Sequence, residues 1–173
     1  MNIEKSTIKS ETIYNEDKTH KFVLKRTWDK DKAKACVIML NPGHADTVTL
    51  DTTTYLVMNN AALLDFGEVN IVNLFSKITG KLNFKRNTPE ELNLPENDDY
   101  IVKTANECDA VIIAWGRGSA TNQFITDRGT EVIKLLSKCY DKMYLISDGE
   151  TSGYHPLCVS VRKGWELESY TPA

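Results

Sequence analysis

Ala35-Cys36-Val37-Ile38-Met39-Leu40-Asn41-Pro42-Gly43-His44-Ala45-Asp46 opens with an unbroken apolar run and then turns abruptly polar. A strand that is apolar on both faces is one covered by helices on both sides, as the strands of a parallel sheet are. Val69 to Phe75, Ala110 to Trp115 and Met143 to Ile146 repeat the pattern. The segments between these runs have helical character. Thr52 to Leu64 places Leu56, Val57, Ala61 and Leu64 at helical spacing and meets a stop at Gly67. Pro95-Glu96-Asn97-Asp98 offers capping side chains, Asn97 and Asp98 above all, to a helix reaching about Glu107. Asp127 to Cys139 carries Val132, Ile133, Leu135 and Leu136. Strand and helix in alternation predict an α/β fold, a three-layer sandwich with a mainly parallel central sheet. Ahead of this, Thr7 to Tyr14 and Lys21 to Trp28 alternate around a polar turn and read as an N-terminal β-hairpin at one sheet edge, with His20 at its surface.

Composition narrows the function classes. The chain has 173 residues, 41% hydrophobic and 26% charged, which predicts a single α/β domain over residues 1–173. No apolar run approaches the roughly 18 residues of a membrane span, and Met1 to Ser10 lacks a secretory signal, so a cytoplasmic location and no membrane partner are expected. Cys36, Cys108, Cys139 and Cys158 are scattered without ligand or disulfide spacing, and read as small buried hydrophobes. No metal or cofactor is expected. A formal charge of −3 supplies no global field for a polyanion. Nucleic-acid binding would rest on a local patch, and Ser76 to Asn87 offers one: Lys77, Lys81, Lys85 and Arg86 with no acidic residue.

Each apolar strand runs directly into an unusual polar loop. These are Asn41 to Asp46, Ser76-Lys77 with Asn73 just before, Trp115-Gly116-Arg117-Gly118-Ser119, and Ser147 to Leu157 with His155-Pro156. If the strands are parallel, all of these loops leave the same edge of the sheet, where open α/β folds bind their ligands.

In that order, Leu40-Asn41-Pro42 with Ala45-Asp46, Asp51-Thr52-Thr53, Val72-Asn73-Leu74-Phe75, Pro95-Glu96-Asn97-Asp98, Ala114-Trp115-Gly116 and His155-Pro156-Leu157 resemble the bacterial family catalogued as domain of unknown function 1643. The resemblance covers roughly residues 8 to 165. It departs from the family pattern at Gly43, where serine is usual, at Thr52, where proline is usual, and at Tyr55 and Leu56, where basic residues are usual. A more distant likeness is to the uracil-DNA glycosylase superfamily. Asn41-Pro42-Gly43 is similar to its water-positioning loop, and Asn73, Trp115-Gly116 and His155-Pro156 follow in the superfamily's order, with Leu157 in place of a serine. That likeness implies a uracil-DNA-glycosylase-like fold.

Breaking an N-glycosidic bond leaves negative charge on the departing base, so such a site needs a donor at the base oxygen and a group holding water. His155 is the candidate donor, with Asn41 and Asp46 to hold and activate water. Asn73 offers a donor and an acceptor to a base edge, Phe75 or Trp115 a stacking face, and Arg117 a contact at the rim. The expected partner is a nucleobase-containing small molecule or a nucleic acid. The alternatives are a non-catalytic nucleotide or nucleic-acid binding module on the same fold, and a protein-interaction module. The sequence selects neither the base nor an oligomeric state.

Overall fold

The structure is a computed structural model that describes residues 1–172, with side chains at all of these positions except 119 and 120. Its strands are β1 (Lys9–Tyr14), β2 (Lys21–Thr27), β3 (Lys34–Met39), β4 (Glu68–Asn73), β5 (Ala110–Ile113), β6 (Met143–Ser147) and β7 (Glu166–Ser169). They form one seven-stranded sheet in the order β1-β2-β4-β3-β5-β6-β7. The expected apolar runs are its four neighbouring central strands, and β4-β3, β3-β5 and β5-β6 all pair parallel. The sheet as a whole is mixed rather than mainly parallel. The β1-β2, β2-β4 and β6-β7 pairs are antiparallel, because the hairpin joins the outer side of β4 and β7 returns along β6 after the long loop that carries His155. The sequence reading found the hairpin but not β7, whose Glu166-Leu167-Glu168-Ser169 has too few apolar residues to stand out.

Helices cover both faces. They are α1 (Thr52–Leu63), α2 (Pro89–Leu92), α3 (Glu96–Glu107) and α4 (Gln123–Leu135). Alternation along β3 divides the core: Cys36 and Ile38 pack with Ile101 and Ala105 of α3 and Val132 of α4. Ala35, Val37 and Met39 face the other way, onto Val57 and Ala61 of α1 and onto Val161 and Trp165. Cys36, Cys108 and Cys139 are buried, as small hydrophobes are, whereas Cys158 is only half-buried. Among the described residues, no helix is long and apolar enough to cross a membrane.

Two local readings are corrected. Helix α3 is not capped by Asn97 or Asp98: Pro95 occupies the N-cap position without a side-chain bond. Asn97 is fully buried, and its Nδ2 donates to the Asn73 carbonyl at 2.9 Å, while Asp98 pairs with Arg128. Arg128 in turn donates from Nε to the Leu74 carbonyl at 2.8 Å, so two helices hold the end of β4. His20 is buried rather than on the surface, its Nδ1 lying 2.9 Å from Ser76 Oγ. The contact fastens the hairpin to the segment after β4, where Lys21 N–H also donates to the Ser76 carbonyl at 2.8 Å.

Candidate functional site

At the ends of β3 and β4, on the α1 side of the sheet, lies a cleft of about 240 Å³. Leu24, Met39 and Ile71 form its apolar floor, and Asn41, Asn73 and His155 line it together. The three side chains come from separate loops and strand ends, and parallel strand direction brings them to one place.

Asn73 ends β4 and is 3% exposed, yet its side-chain amide has no hydrogen-bond partner among the described residues. A buried carboxamide is normally satisfied, so one open to a cleft is available to a ligand. Its backbone is fixed from behind by Asn97. Asn41 is anchored differently. Its Nδ2 donates to the Thr79 carbonyl at 2.7 Å, which ties the loop after β3 to the basic segment after β4 and leaves Oδ1 to accept.

His155 has a defined tautomer. The Leu157 N–H donates to its Nδ1 at 3.1 Å, so Nδ1 is the acceptor and the neutral ring carries its proton on Nε2. Burial lowers its pKa below the ordinary 6.5, which keeps the imidazole neutral at physiological pH. Gly116, with φ +82°, lies against it in the turn after β5.

Asp46 does not line the cleft. Its Oδ1 accepts from the N–H groups of Val48 and Thr49, at 2.8 and 2.7 Å, and these bonds lower its pKa. Its carboxylate is therefore spent on its own turn, as short acidic side chains in turns tend to be. The carboxylate that does line the cleft is Asp51, the N-cap of α1, whose Oδ1 accepts from Thr54 N–H at 2.8 Å. Its Oδ2 rests against Gly43, where a Cβ would come within 2.5 Å of it.

Lys21 is the other residue that the sequence reading missed. It is 4% exposed, lines the cleft, and donates from Nζ to the carbonyls of Gly43, at 2.8 Å, and Ala45. Burial lowers its pKa, against which Asp51 and then Asp46 act to keep it charged. A lysine heading a strand gives no sign in sequence of turning inward.

The proposed stacking residues lie elsewhere. Phe75 is 2% exposed and packs edge-on to Phe84 at 5.6 Å, inside the α3-α4 side of the core. Trp115 and Arg117 line a second cavity, about 430 Å³, which shares Leu40 and His155 with the first. The side chain of Ser119 lies outside the described residues. Among the described residues, no group of three or more His, Cys, Asp or Glu side chains is placed to hold a metal ion.

The arrangement thus combines a neutral imidazole donor, a free carboxamide, an amide acceptor and a carboxylate around an apolar floor. A search of curated proteins returns no match. Residues 21–157, which span β2 through the His155 loop and hence the whole cleft, match the family described as "Protein of unknown function (DUF1643)", and the chain belongs to that family.

Proposed function

We propose that the cleft receives a nucleobase and that the protein hydrolyses an N-glycosidic bond in a nucleobase-containing substrate. One observation carries the reading. Asn73, almost wholly buried, presents an unpartnered amide to the cleft that His155 also lines. A carboxamide matches the paired donor and acceptor of a base edge, and Leu24, Met39 and Ile71 supply an apolar surface for its ring.

The chemistry follows from the remaining groups. As the bond between the anomeric carbon and the base nitrogen breaks, the electron pair leaves with the base. His155 Nε2–H, neutral and partly desolvated, then hydrogen-bonds to the base oxygen on which that charge collects. Water adds to the anomeric carbon, oriented by Asn41 Oδ1. Its proton passes to Asp51, whose Oδ2 faces the turn after Asn41. Asp51 thereby takes the role that the sequence suggested for Asp46.

A second reading, a binding module without turnover, is favoured by the amide at position 41 and by the capping duty of Asp51. Base release from a panel of nucleosides, nucleotides and uracil-containing oligonucleotides, followed chromatographically, separates the two. Asp51→Asn is the informative variant, because asparagine caps a helix as well as aspartate does while the proton acceptor is lost, together with the charge that faces Lys21. Turnover reduced by roughly 10²-fold or more with the helix intact supports hydrolysis. Binding without base release in the wild-type protein leaves only the module.

A further inference from the structure

We infer that the substrate is a phosphorylated nucleoside whose phosphate is held in the second cavity by Arg117. This rests on the nucleobase reading of the first cavity. His155 and Leu40 line both cavities, so a ligand with its base beside Asn73 that reaches past His155 meets the second.

Arg117 lines that second cavity in a fixed position. Its Nε donates to the Ser152 carbonyl at 2.7 Å, and its guanidinium lies 4.6 Å from the centre of the Tyr154 ring. The ring is itself held, since Tyr154 Oη donates to Asp148 Oδ2 at 2.7 Å. Asp148 is committed to this loop. Its Oδ1 accepts from the N–H groups of Thr151 and Glu150, and these bonds with that of Tyr154 lower its pKa to about 2. Among the described residues no carboxylate lies within ion-pairing distance of Arg117, and its two terminal nitrogens have no partner. An arginine oriented by a carbonyl and a ring, with its fork free, is arranged for bidentate contact with phosphate oxygens. Neighbouring Gly118 has no side chain to obstruct that approach.

A free nucleotide and a nucleic-acid strand present the same phosphate chemistry, and titration calorimetry distinguishes them. Adenosine, guanosine, cytidine and uridine, their 5′-monophosphates, inorganic phosphate and a short single-stranded oligonucleotide are titrated into the wild-type protein and into Arg117→Gln and Arg117→Lys. For whichever base binds, the monophosphate binds about 10-fold or more tightly than the nucleoside. Arg117→Gln lowers the monophosphate to the level of the nucleoside, and Arg117→Lys, which keeps charge but not the fork, falls between. Tighter binding of the monophosphate than of the oligonucleotide makes a free nucleotide the source; the reverse, with steep salt dependence, makes it a strand. Equal affinity of nucleoside and monophosphate for the wild-type protein overturns the phosphate site and leaves the base reading standing. If no base-bearing compound binds, the base reading falls and inorganic phosphate decides. Phosphate binding that Arg117→Gln abolishes keeps the anion site, and no phosphate binding ends it.

Discussion

Gly116 lies so close to His155 that a Cβ built on it would stand 2.8 Å from the Cβ of the histidine. The contact explains how the turn after β5 and the loop after β6 locate the imidazole between the two cavities. Its φ of +82° adds a backbone reason for glycine. Gly116→Ala is expected to destabilise the protein by about 1–3 kcal/mol in urea unfolding, through strain and the displaced histidine. Ligand affinity and turnover should fall with it, since the donor moves.

Lys21 makes a comparable link from β2 to the loop after β3, through the Gly43 and Ala45 carbonyls. Lys21→Met keeps the buried stem and removes the ammonium, leaving the two carbonyls without their donor. The expected loss is about 1–3 kcal/mol, the usual cost of unsatisfied buried groups, read from the urea midpoint. Because Asn41 is carried by the same loop, nucleobase binding should weaken as well.

Stability should decline on mild acidification. Burial lowers the pKa of both His155 and His20 below the ordinary 6.5, with Lys77 adding to the effect at His20. A histidine with a depressed folded pKa contributes stability above its unfolded pKa and loses it as pH falls through the folded one. Unfolding midpoints measured from about pH 7.5 to about pH 5 should therefore fall, and fall less in His20→Gln. Protonation of His155 also removes the acceptor for Leu157 N–H, so turnover should drop over the same interval.

Much of this architecture was written in apolar runs. Cys36 to Met39 and Ala110 to Ile113 are buried on both faces, so continuous hydrophobicity announced them, and the loops beyond them located the cleft. Asn41 and Asn73 were legible as candidates because a polar residue at or just beyond the end of such a strand stands out, and His155 because its loop follows one. What stayed hidden depends on side-chain direction. Asp46 and Asp51 are both acids in one loop, and only the hydrogen bonds decide that the first closes a turn while the second faces the cleft. Phe75 follows Asn73 by two positions, yet the backbone carries it into the core beneath α3 and α4. His20 sits in a hairpin and read as surface, and Lys21 heads its second strand; packing against the segments after β4 and β3 encloses both.

The most direct measurement is of the Asn73 side-chain amide itself. In ¹⁵N-labelled protein its NH₂ resonances are assigned by their disappearance in Asn73→Asp, and free uracil, cytosine, adenine and guanine are titrated in turn. At least one base should shift the Asn73 amide together with the His155 imidazole signals, saturably, because both line the same cleft. Bases that leave both sets of signals unmoved while the protein remains folded would contradict the account.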